Sequence, residues 1–268
     1  MSWAPRAISS RSWVGAPTDQ DEKHEIDLRE VISGRSVTLD LPFAAIGPRQ
    51  LTLLIKDSVS PIVSFVRGRV KRGLDFWTAF VSLLLALPVM IAIALAIKLT
   101  SPGPAIYKHE RIGQGGKRFK VWKFRSMRTD VSLDDIGDVI AADEERADSP
   151  AYKSPNDPRI TRVGRFIRRS GLDELPQFFN VLSGTMSLVG PRPLVDEEIA
   201  VLSPAQLRHR NSVPPGVTGL WQVFRRSDTT YEERIRLDLV YVATQSLWLD
   251  FYLLAMTPLA LLKGERSF

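Results

Sequence analysis

Two adjacent carboxylates, Asp173 and Glu174, lie in a strongly basic stretch of the chain. Arginines flank the pair on both sides, at Arg165, Arg168, Arg169 and Arg192. Arginine side chains bind and neutralise phosphate oxygens, and carboxylates can serve as nucleophiles or metal ligands. The combination indicates chemistry on a phosphorylated, metal-bound substrate. A structural interpretation also stands, in which Asp173 caps a helix and the arginines form a solvated face.

The charge distribution favours an anion site around this pair. Residues 151–192 hold seven cationic side chains against three carboxylates, whereas residues 130–148 hold eight carboxylates and a single arginine. The acidic stretch is expected to be a solvated loop. Positive charge is therefore concentrated around Asp173 and Glu174, which a uniformly solvated surface would not require.

The composition excludes several kinds of catalysis. The 268 residues include no cysteine, so disulfides, thiolate catalysis and cysteine zinc sites are absent. The three histidines, His24, His109 and His209, are not at metal-ligand spacing. Metal and acid–base chemistry must come mainly from carboxylates, which prefer hard ions such as Mg²⁺.

The net charge of +6 suggests an anionic partner: a phosphorylated small molecule, a membrane surface or nucleic acid. Nucleic acid is disfavoured because the basic residues alternate with Gly and Pro turns.

Residues 76–97 form an uncharged apolar segment interrupted by Pro88. At about 1.5 Å per residue, its 22 residues could just span a bilayer core of about 30 Å. Both flanks are basic, so the positive-inside rule favours neither orientation. A re-entrant hairpin that bends at Pro88 would keep both flanks on the cytoplasmic side. A kinked span and the buried helix of a soluble protein are the alternatives.

Local patterns predict the remaining elements. Residues 1–35 are expected to be poorly ordered, 36–60 to contain two strand-like runs, 101–116 to form turns, and 117–127 to form a strand or hairpin arm. Helices are predicted over 173–184, with Pro176 in the first turn and Gly184 as the stop, over about 196–211 and over 231–243. Residues 214–224 are predicted to form a loop and then a strand, and 247–262 an interfacial or core-packed helix.

These segments, in this order, resemble the bacterial sugar transferase family, the monotopic polyprenyl-phosphate hexose-1-phosphate transferases or phosphoglycosyl transferases. The resemblance covers roughly residues 70–265. It rests on KRGLDF at 71–76, SPGPAIYKHERIG at 101–113, KFRSM at 123–127, DPRITRVGRFIRR at 157–169, LDELPQ at 172–177, NVLSGTMSLVGPRP at 180–193, PGVTGLWQV at 215–223 and LDLVYV at 237–242.

The resemblance implies an undecaprenyl-phosphate sugar phosphotransferase. Such enzymes move a sugar-1-phosphate from a UDP-sugar to undecaprenyl phosphate through a covalent aspartyl-phosphosugar intermediate, with Mg²⁺, and release UMP. The product starts assembly of an exopolysaccharide, capsule or O-antigen unit. The implied location is the cytoplasmic face of the bacterial inner membrane, and membrane lipid and a second copy of the chain are further candidate partners. The rival hypothesis is a non-enzymatic membrane protein whose basic patch holds anionic lipid or an assembly partner.

The resemblance also implies roles for individual residues. Asp173 would attack the β-phosphorus and Glu174 would coordinate Mg²⁺, while Lys123 would face the same site. Phosphate oxygens would be held by Arg168, Arg192 and Arg226. Structural alternatives are a solvated strand position for Lys123 and a turn anchor for Arg192.

The fold implied is α/β but mostly α. A helix broken at Pro88 within residues 71–100 would precede a cytoplasmic catalytic domain over 101–268 with amphipathic interfacial helices. Residues 36–70 would form a short extension after the N-terminal segment. Two departures from the family pattern bear on substrate preference. Gly171 replaces a serine and is expected to loosen the entry to the next helix, and Pro214 replaces a lysine.

Overall fold

The computed structural model describes residues 61–128, 157–200, 202–224 and 230–262. Within these ranges the chain is mostly helical, with two small two-stranded sheets. The predictions for residues 1–60, for the acidic stretch 130–148 and for Arg226 lie outside the described residues.

The first helix, α1, runs from Pro61 to Thr100 with Pro88 inside it. Its 40 residues correspond to about 60 Å at 1.5 Å per residue. Residues 68–100 have the length and hydropathy of a membrane span, and 17% of an apolar 18-residue stretch within them is buried. The helix is continuous through Pro88, so the re-entrant hairpin stays a prediction.

A β-hairpin follows α1. Strand β1 (Ile106–Ile112) pairs antiparallel with β2 (Arg118–Phe124), and a 3₁₀ turn at Gln114–Gly116 joins them. The prediction of a strand or hairpin arm over 117–127 is confirmed. The prediction that 101–116 forms only turns is wrong. Within it, residues 106–112 pair with β2 over their whole length. The Pro and Gly residues lie before and after this strand.

Helix α2 (Arg162–Ser170) leads into the stretch that carries the acidic pair. Gly171 ends α2 at φ 70°, in the left-handed region that glycine adopts without strain, and its N–H donates to the Arg168 carbonyl. Gly171 therefore forms a defined helix end, contrary to the expected loosening. Leu172–Glu174 form one 3₁₀ turn.

Helix α3 (Gln177–Ser183) follows this turn. Gly184 stops it at φ 83°, as predicted, and Pro176 lies immediately before its first residue. Val181 is fully buried, and Phe178 and Leu182 are partly buried against the same core. Asp173 is not a helix N-cap, since Gly171 begins the 3₁₀ turn and Pro176 precedes α3.

The segment after α3 differs from prediction at two places. A single helix over 196–211 is wrong: α4 (Asp196–Ile199) and α5 (Pro204–Arg210) are separate, because Ser203 and Gln206 form a capping box that starts a new helix. A strand at the end of 214–224 is also wrong. The strand is β4 (Gly216–Thr218), parallel to β3 (Ser187–Val189), and Leu220–Phe224 forms helix α6.

Two further helices complete the described chain. Helix α7 (Tyr231–Thr244) confirms the amphipathic prediction, and α8 (Leu247–Leu262) buries Leu249 and Leu253 while Trp248 stays 83% exposed. The main core brings together α3, β3, α7 and α8 with the first half of α1. A second core packs the later part of α1, including Ile97, against Phe124 and Ile167.

Candidate functional site

The acidic pair lies beside Lys123 of strand β2. Lys123 Nζ is 2.9 Å from Glu174 Oε1 and 3.9 Å from Asp173 Oδ2. The three side chains are neither fully buried nor fully exposed, at 26% for Lys123, 13% for Asp173 and 21% for Glu174. The structure therefore brings Lys123 to the acidic pair, whose Glu174 lies 51 positions later in the sequence. Lys123 is not a solvated strand residue.

Helix α2 places Arg168 near the same pair. Arg168 Nε donates to Ser126 Oγ at 2.8 Å. Burial lowers the pKa of Arg168, while the negative charges of Asp173 and Asp157 act in the opposite direction. Arg168 is therefore close enough to Asp173 to feel its charge, and it is partly withdrawn from solvent. A guanidinium in this position can meet a phosphate oxygen brought to Asp173.

The position of α2 depends on Gly164. A Cβ at Gly164 would lie 1.9 Å from the Ser126 carbonyl oxygen, so the helix packs with its backbone against the KFRSM segment. Thr161 caps α2 by accepting from the Gly164 N–H at 2.8 Å, and the Thr161 N–H donates to the Ser126 carbonyl at 3.1 Å. Ser126 thus connects β2, the start of α2 and Arg168.

Asn180 fixes helix α3 to strand β2. Its amide Nδ2 donates to the Lys120 carbonyl at 2.8 Å, and its Oδ1 accepts from the Trp122 N–H at 3.0 Å. These two bonds satisfy strand groups on either side of Val121, and the Asn180 residue that makes them is 4% exposed. Lys123 follows Trp122 in β2, so the contact with Asn180 helps to position Lys123 relative to Glu174. No role for Asn180 follows from the sequence motifs, although an amide among the apolar residues of α3 is a signal that points to it.

The loop that carries Arg192 is packed backbone to backbone against strand β4 and its flanks. A Cβ at Gly216 would lie 2.1 Å from the Gly190 nitrogen, and one at Gly219 would lie 2.3 Å from the Gly190 oxygen. The Gly190 N–H donates to the Thr218 carbonyl, and the Gly216 N–H donates to the Pro191 carbonyl. The glycines of the two motifs allow this approach, which makes the loop a rigid support.

Arg192 itself belongs to a cluster around Trp221. Its guanidinium carbon is 5.7 Å from the centre of the Trp221 ring, and that of Arg234 is 5.6 Å from the same centre. Burial and the charge of Arg192 lower the pKa of Arg111 to about 10, although Glu198 partly offsets them. Cations are therefore crowded here, as in an anion site. A phosphate-binding role for Arg192 stays a prediction, and the Arg226 position is not described.

Comparison with known proteins identifies the family. A family model described as bacterial sugar transferase matches residues 66–264. The chain belongs to the bacterial sugar transferase family. This result confirms the resemblance found in the sequence motifs.

Three relatives of this sugar transferase are informative. An undecaprenyl-phosphate galactose phosphotransferase of Salmonella typhimurium is 43% identical over 203 residues, which cover 74% of this chain and 41% of the relative. A UDP-glucose:undecaprenyl-phosphate glucose-1-phosphate transferase of Escherichia coli is 41% identical over 204 residues, or 73% of this chain and 40% of the relative. The exopolysaccharide production protein ExoY of Rhizobium meliloti is 37% identical over 210 residues, or 76% of this chain and 90% of the relative. The chain thus spans about two fifths of the length of the first two relatives and most of the length of the third.

The acidic pair of this sugar transferase fits a weakly held magnesium ion. Among the described residues, no group of three or more His, Asp and Glu side chains is placed to hold a metal. Mg²⁺ often needs only one or two carboxylates, because substrate phosphates and water supply the other ligands. Asp173 and Glu174 offer those oxygens, and Lys123 now provides the counter-charge to Glu174. Glu174 is the residue that would hold the ion.

Proposed function

We propose that this sugar transferase moves a sugar-1-phosphate from a UDP-sugar to undecaprenyl phosphate and releases UMP. The observation that carries the proposal is the convergence of Lys123, Asp173 and Glu174, with Arg168 close by. The names of the Salmonella and Escherichia relatives support this substrate class. Initiation of exopolysaccharide, capsule or O-antigen assembly is the role that follows, in line with the name of the Rhizobium relative.

The first step is attack of an Asp173 carboxylate oxygen on the β-phosphorus. A new phosphorus–oxygen bond forms, the bond from the β-phosphorus to the bridging oxygen breaks, and UMP leaves with that oxygen. Asp173 suits the role because the Lys123 ammonium is an ångström closer to Glu174, which leaves the Asp173 oxygens less engaged by this cation. Lys123 and Arg168 offset the charge of the substrate as the nucleophile approaches.

The second step regenerates the carboxylate. A phosphate oxygen of undecaprenyl phosphate attacks the phosphorus of the acyl phosphate, and the Asp173 oxygen departs. Splitting one transfer into two displacements allows the soluble and lipid substrates to use one site in turn. Bound Mg²⁺ would neutralise phosphate charge and orient the leaving group. Glu174 would hold it, and Arg192 and Arg226 would hold the remaining phosphate oxygens.

Attachment to the cytoplasmic face of the inner membrane accords with the contacts of α1. Near its start, Lys71 Nζ is 2.8 Å from Asp250 Oδ2 and Arg72 Nη2 donates to the Leu182 carbonyl at 2.8 Å. Just past its end, the Ser101 carbonyl accepts from Arg125 Nη2 at 2.8 Å. Because residues on both sides of the apolar segment 76–97 contact one domain, that segment need not cross the bilayer. Large apolar side chains of α1 and α8 that remain exposed offer a surface for lipid.

The test is UMP release from UDP-galactose and UDP-glucose with undecaprenyl phosphate and Mg²⁺. Asp173→Asn should abolish turnover and the acid-stable capture of labelled sugar phosphate on the protein, while Glu174→Gln should weaken the magnesium dependence. Asp196→Asn, which changes an exposed carboxylate paired with Arg118, is the matched control and should retain activity. Normal turnover by Asp173→Asn would reject the mechanism. Loss of membrane or partner binding in arginine variants without any turnover would favour the non-enzymatic alternative.

A further inference from the structure

A buried ion pair lies directly behind the Arg192 loop. Arg210, the last residue of α5, donates through Nε to Asp238 Oδ2 of α7 at 3.1 Å, and its Nη2 approaches the same oxygen more closely. Each side chain is 2% exposed. Asp238 lies in the LDLVYV motif, which implies no function for it, and Arg210 lies outside the motifs that carry the resemblance.

The pair contacts the backbone of Arg192 through its guanidinium group. Arg210 Nη2 donates to the Arg192 carbonyl. Burial raises the pKa of Asp238 to about 6, and the charge and hydrogen bonds of Arg210 act in the opposite direction. The carboxylate therefore holds the guanidinium, and the guanidinium holds the Arg192 C=O.

The Arg192 side chain has its own support. Its guanidinium lies over the Trp221 ring, and Trp221 is itself 7% exposed. The Arg192 side chain is held at the ring and its backbone carbonyl is held by Arg210, so Arg192 has few alternative positions. Such restriction reduces the ordering cost when an anion binds.

We propose that Arg210 and Asp238 are positioning residues that fix the Arg192 backbone so that its guanidinium is set for the diphosphate of the nucleotide sugar. The inference rests on the proposed function, in which Arg192 binds that diphosphate. A buried ion pair is weak evidence for stability, because its desolvation offsets much of its attraction. The contact of Arg210 with the Arg192 carbonyl gives the pair a positioning role beyond the connection of α5 to α7.

The experiment replaces the pair by apolar residues of similar size, in the double variant Arg210→Met, Asp238→Leu. Such replacements of buried pairs are often neutral or stabilising, so the melting temperature should stay near that of the parent. The affinity for UDP, measured by calorimetry with Mg²⁺, and kcat/KM for the nucleotide sugar should each fall about 10- to 100-fold. The double variant Arg118→Gln, Asp196→Asn removes an exposed pair and should leave both values unchanged.

A double-mutant cycle with Arg192→Ala separates positioning from a general structural effect. If the pair acts through Arg192, its replacement should cost little further UDP affinity once Arg192 is alanine. An equal fold loss in both backgrounds would overturn the inference, and so would parental affinity in a folded pair variant. Should the apolar variant fail to fold, Arg210→Lys serves instead. It keeps the charge facing Asp238 but not the fork that reaches the Arg192 carbonyl, so the same loss is expected.

The two levels of the proposal fail differently. Unchanged UDP affinity in Arg192→Ala would refute the role of Arg192 in the proposed function, and the positioning inference with it. Reduced affinity in Arg192→Ala, combined with parental affinity in the pair variant, would refute the positioning inference alone. Turnover by Asp173→Asn would reject the mechanism but would leave the UDP-binding cycle interpretable.

Discussion

The Lys123 ammonium group lies 2.9 Å from Glu174, and at 3.9 Å it is a full ångström farther from Asp173. One cation thus serves two adjacent carboxylates unequally. The proposed function gives Glu174, the closer partner of Lys123, the role of metal ligand and Asp173 the role of nucleophile. The unequal distances distinguish the two carboxylates, which their adjacency in sequence does not.

Replacement of Lys123 tests this arrangement. Lys123→Met keeps the length of the side chain but removes its charge, so we expect kcat/KM for the nucleotide sugar to fall about 100-fold. Lys123→Arg keeps the charge and should retain more activity. The measurement is UMP release at several Mg²⁺ concentrations. Equal activity in the methionine variant and the parent would show that the cation is not part of the site.

Asn180 should be needed for the relative position of β2 and α3. Asn180→Leu keeps the branched shape of the side chain but leaves the Lys120 carbonyl and the Trp122 N–H without their partner. We therefore expect a loss of about 1–3 kcal/mol in the free energy of unfolding per group. Asn180→Asp presents an oxygen to the Lys120 carbonyl and should be equally harmful. Urea denaturation gives the stability. Asp196→Asn, at an exposed residue away from this contact, is the control, and a similar loss there would contradict a specific role for Asn180.

Gly164 should tolerate no side chain. Gly164→Ala places a Cβ within 1.9 Å of the Ser126 oxygen, so α2 must move and displace Arg168. We expect a destabilisation of about 1–3 kcal/mol, as for other overpacked contacts, and a raised KM. Gly73→Ala is the matched control, because nothing lies within 4 Å of its Cβ position. Parental melting temperature and KM in Gly164→Ala would contradict the packing described for α2.

The topology of α1 can be tested with single cysteines, since the chain has none of its own. Cysteines at positions 5 and 266 should react alike with an impermeant thiol reagent, both from the cytoplasmic side. The reason is that Lys71 and Ser101, on either side of the apolar segment of α1, contact the same domain. Labelling of the two cysteines from opposite sides of the membrane would reject the re-entrant arrangement and favour the kinked span.

Asp238 should give stability a characteristic pH dependence. Burial raises its pKa to about 6, above the ordinary value of 3.8, so the folded protein holds this proton more tightly than the unfolded chain. The stabilisation from this carboxyl group is full below pH 3.8, is lost as the pH rises to about 6 and stays lost above that. The difference in free energy of unfolding between the parent and Asp238→Asn should therefore fall over this window. A difference that rises instead would show that Arg210 lowers the pKa below its ordinary value.

Much of the local structure could be predicted from the sequence. The stop at Gly184, the amphipathic α7 and the strand β2 follow from patterns that neighbouring residues determine. Prediction and structure differ where a contact or a cap overrides the wider pattern. Residues 106–112 form a strand because they pair with β2, and the helix predicted over 196–211 is divided at Ser203, which forms a capping box with Gln206.

The sequence by itself determined the family, the acidic pair and the apolar character of α1, because residue types, motif order and hydropathy do not depend on the fold. Tertiary structure alone decided which cation meets which carboxylate. The contacts of Lys123 with Glu174, of Asn180 with β2 and of Arg210 with the Arg192 backbone join residues that are far apart in the chain. Contacts of this kind depend on how helices and strands pack, and no local pattern encodes that packing.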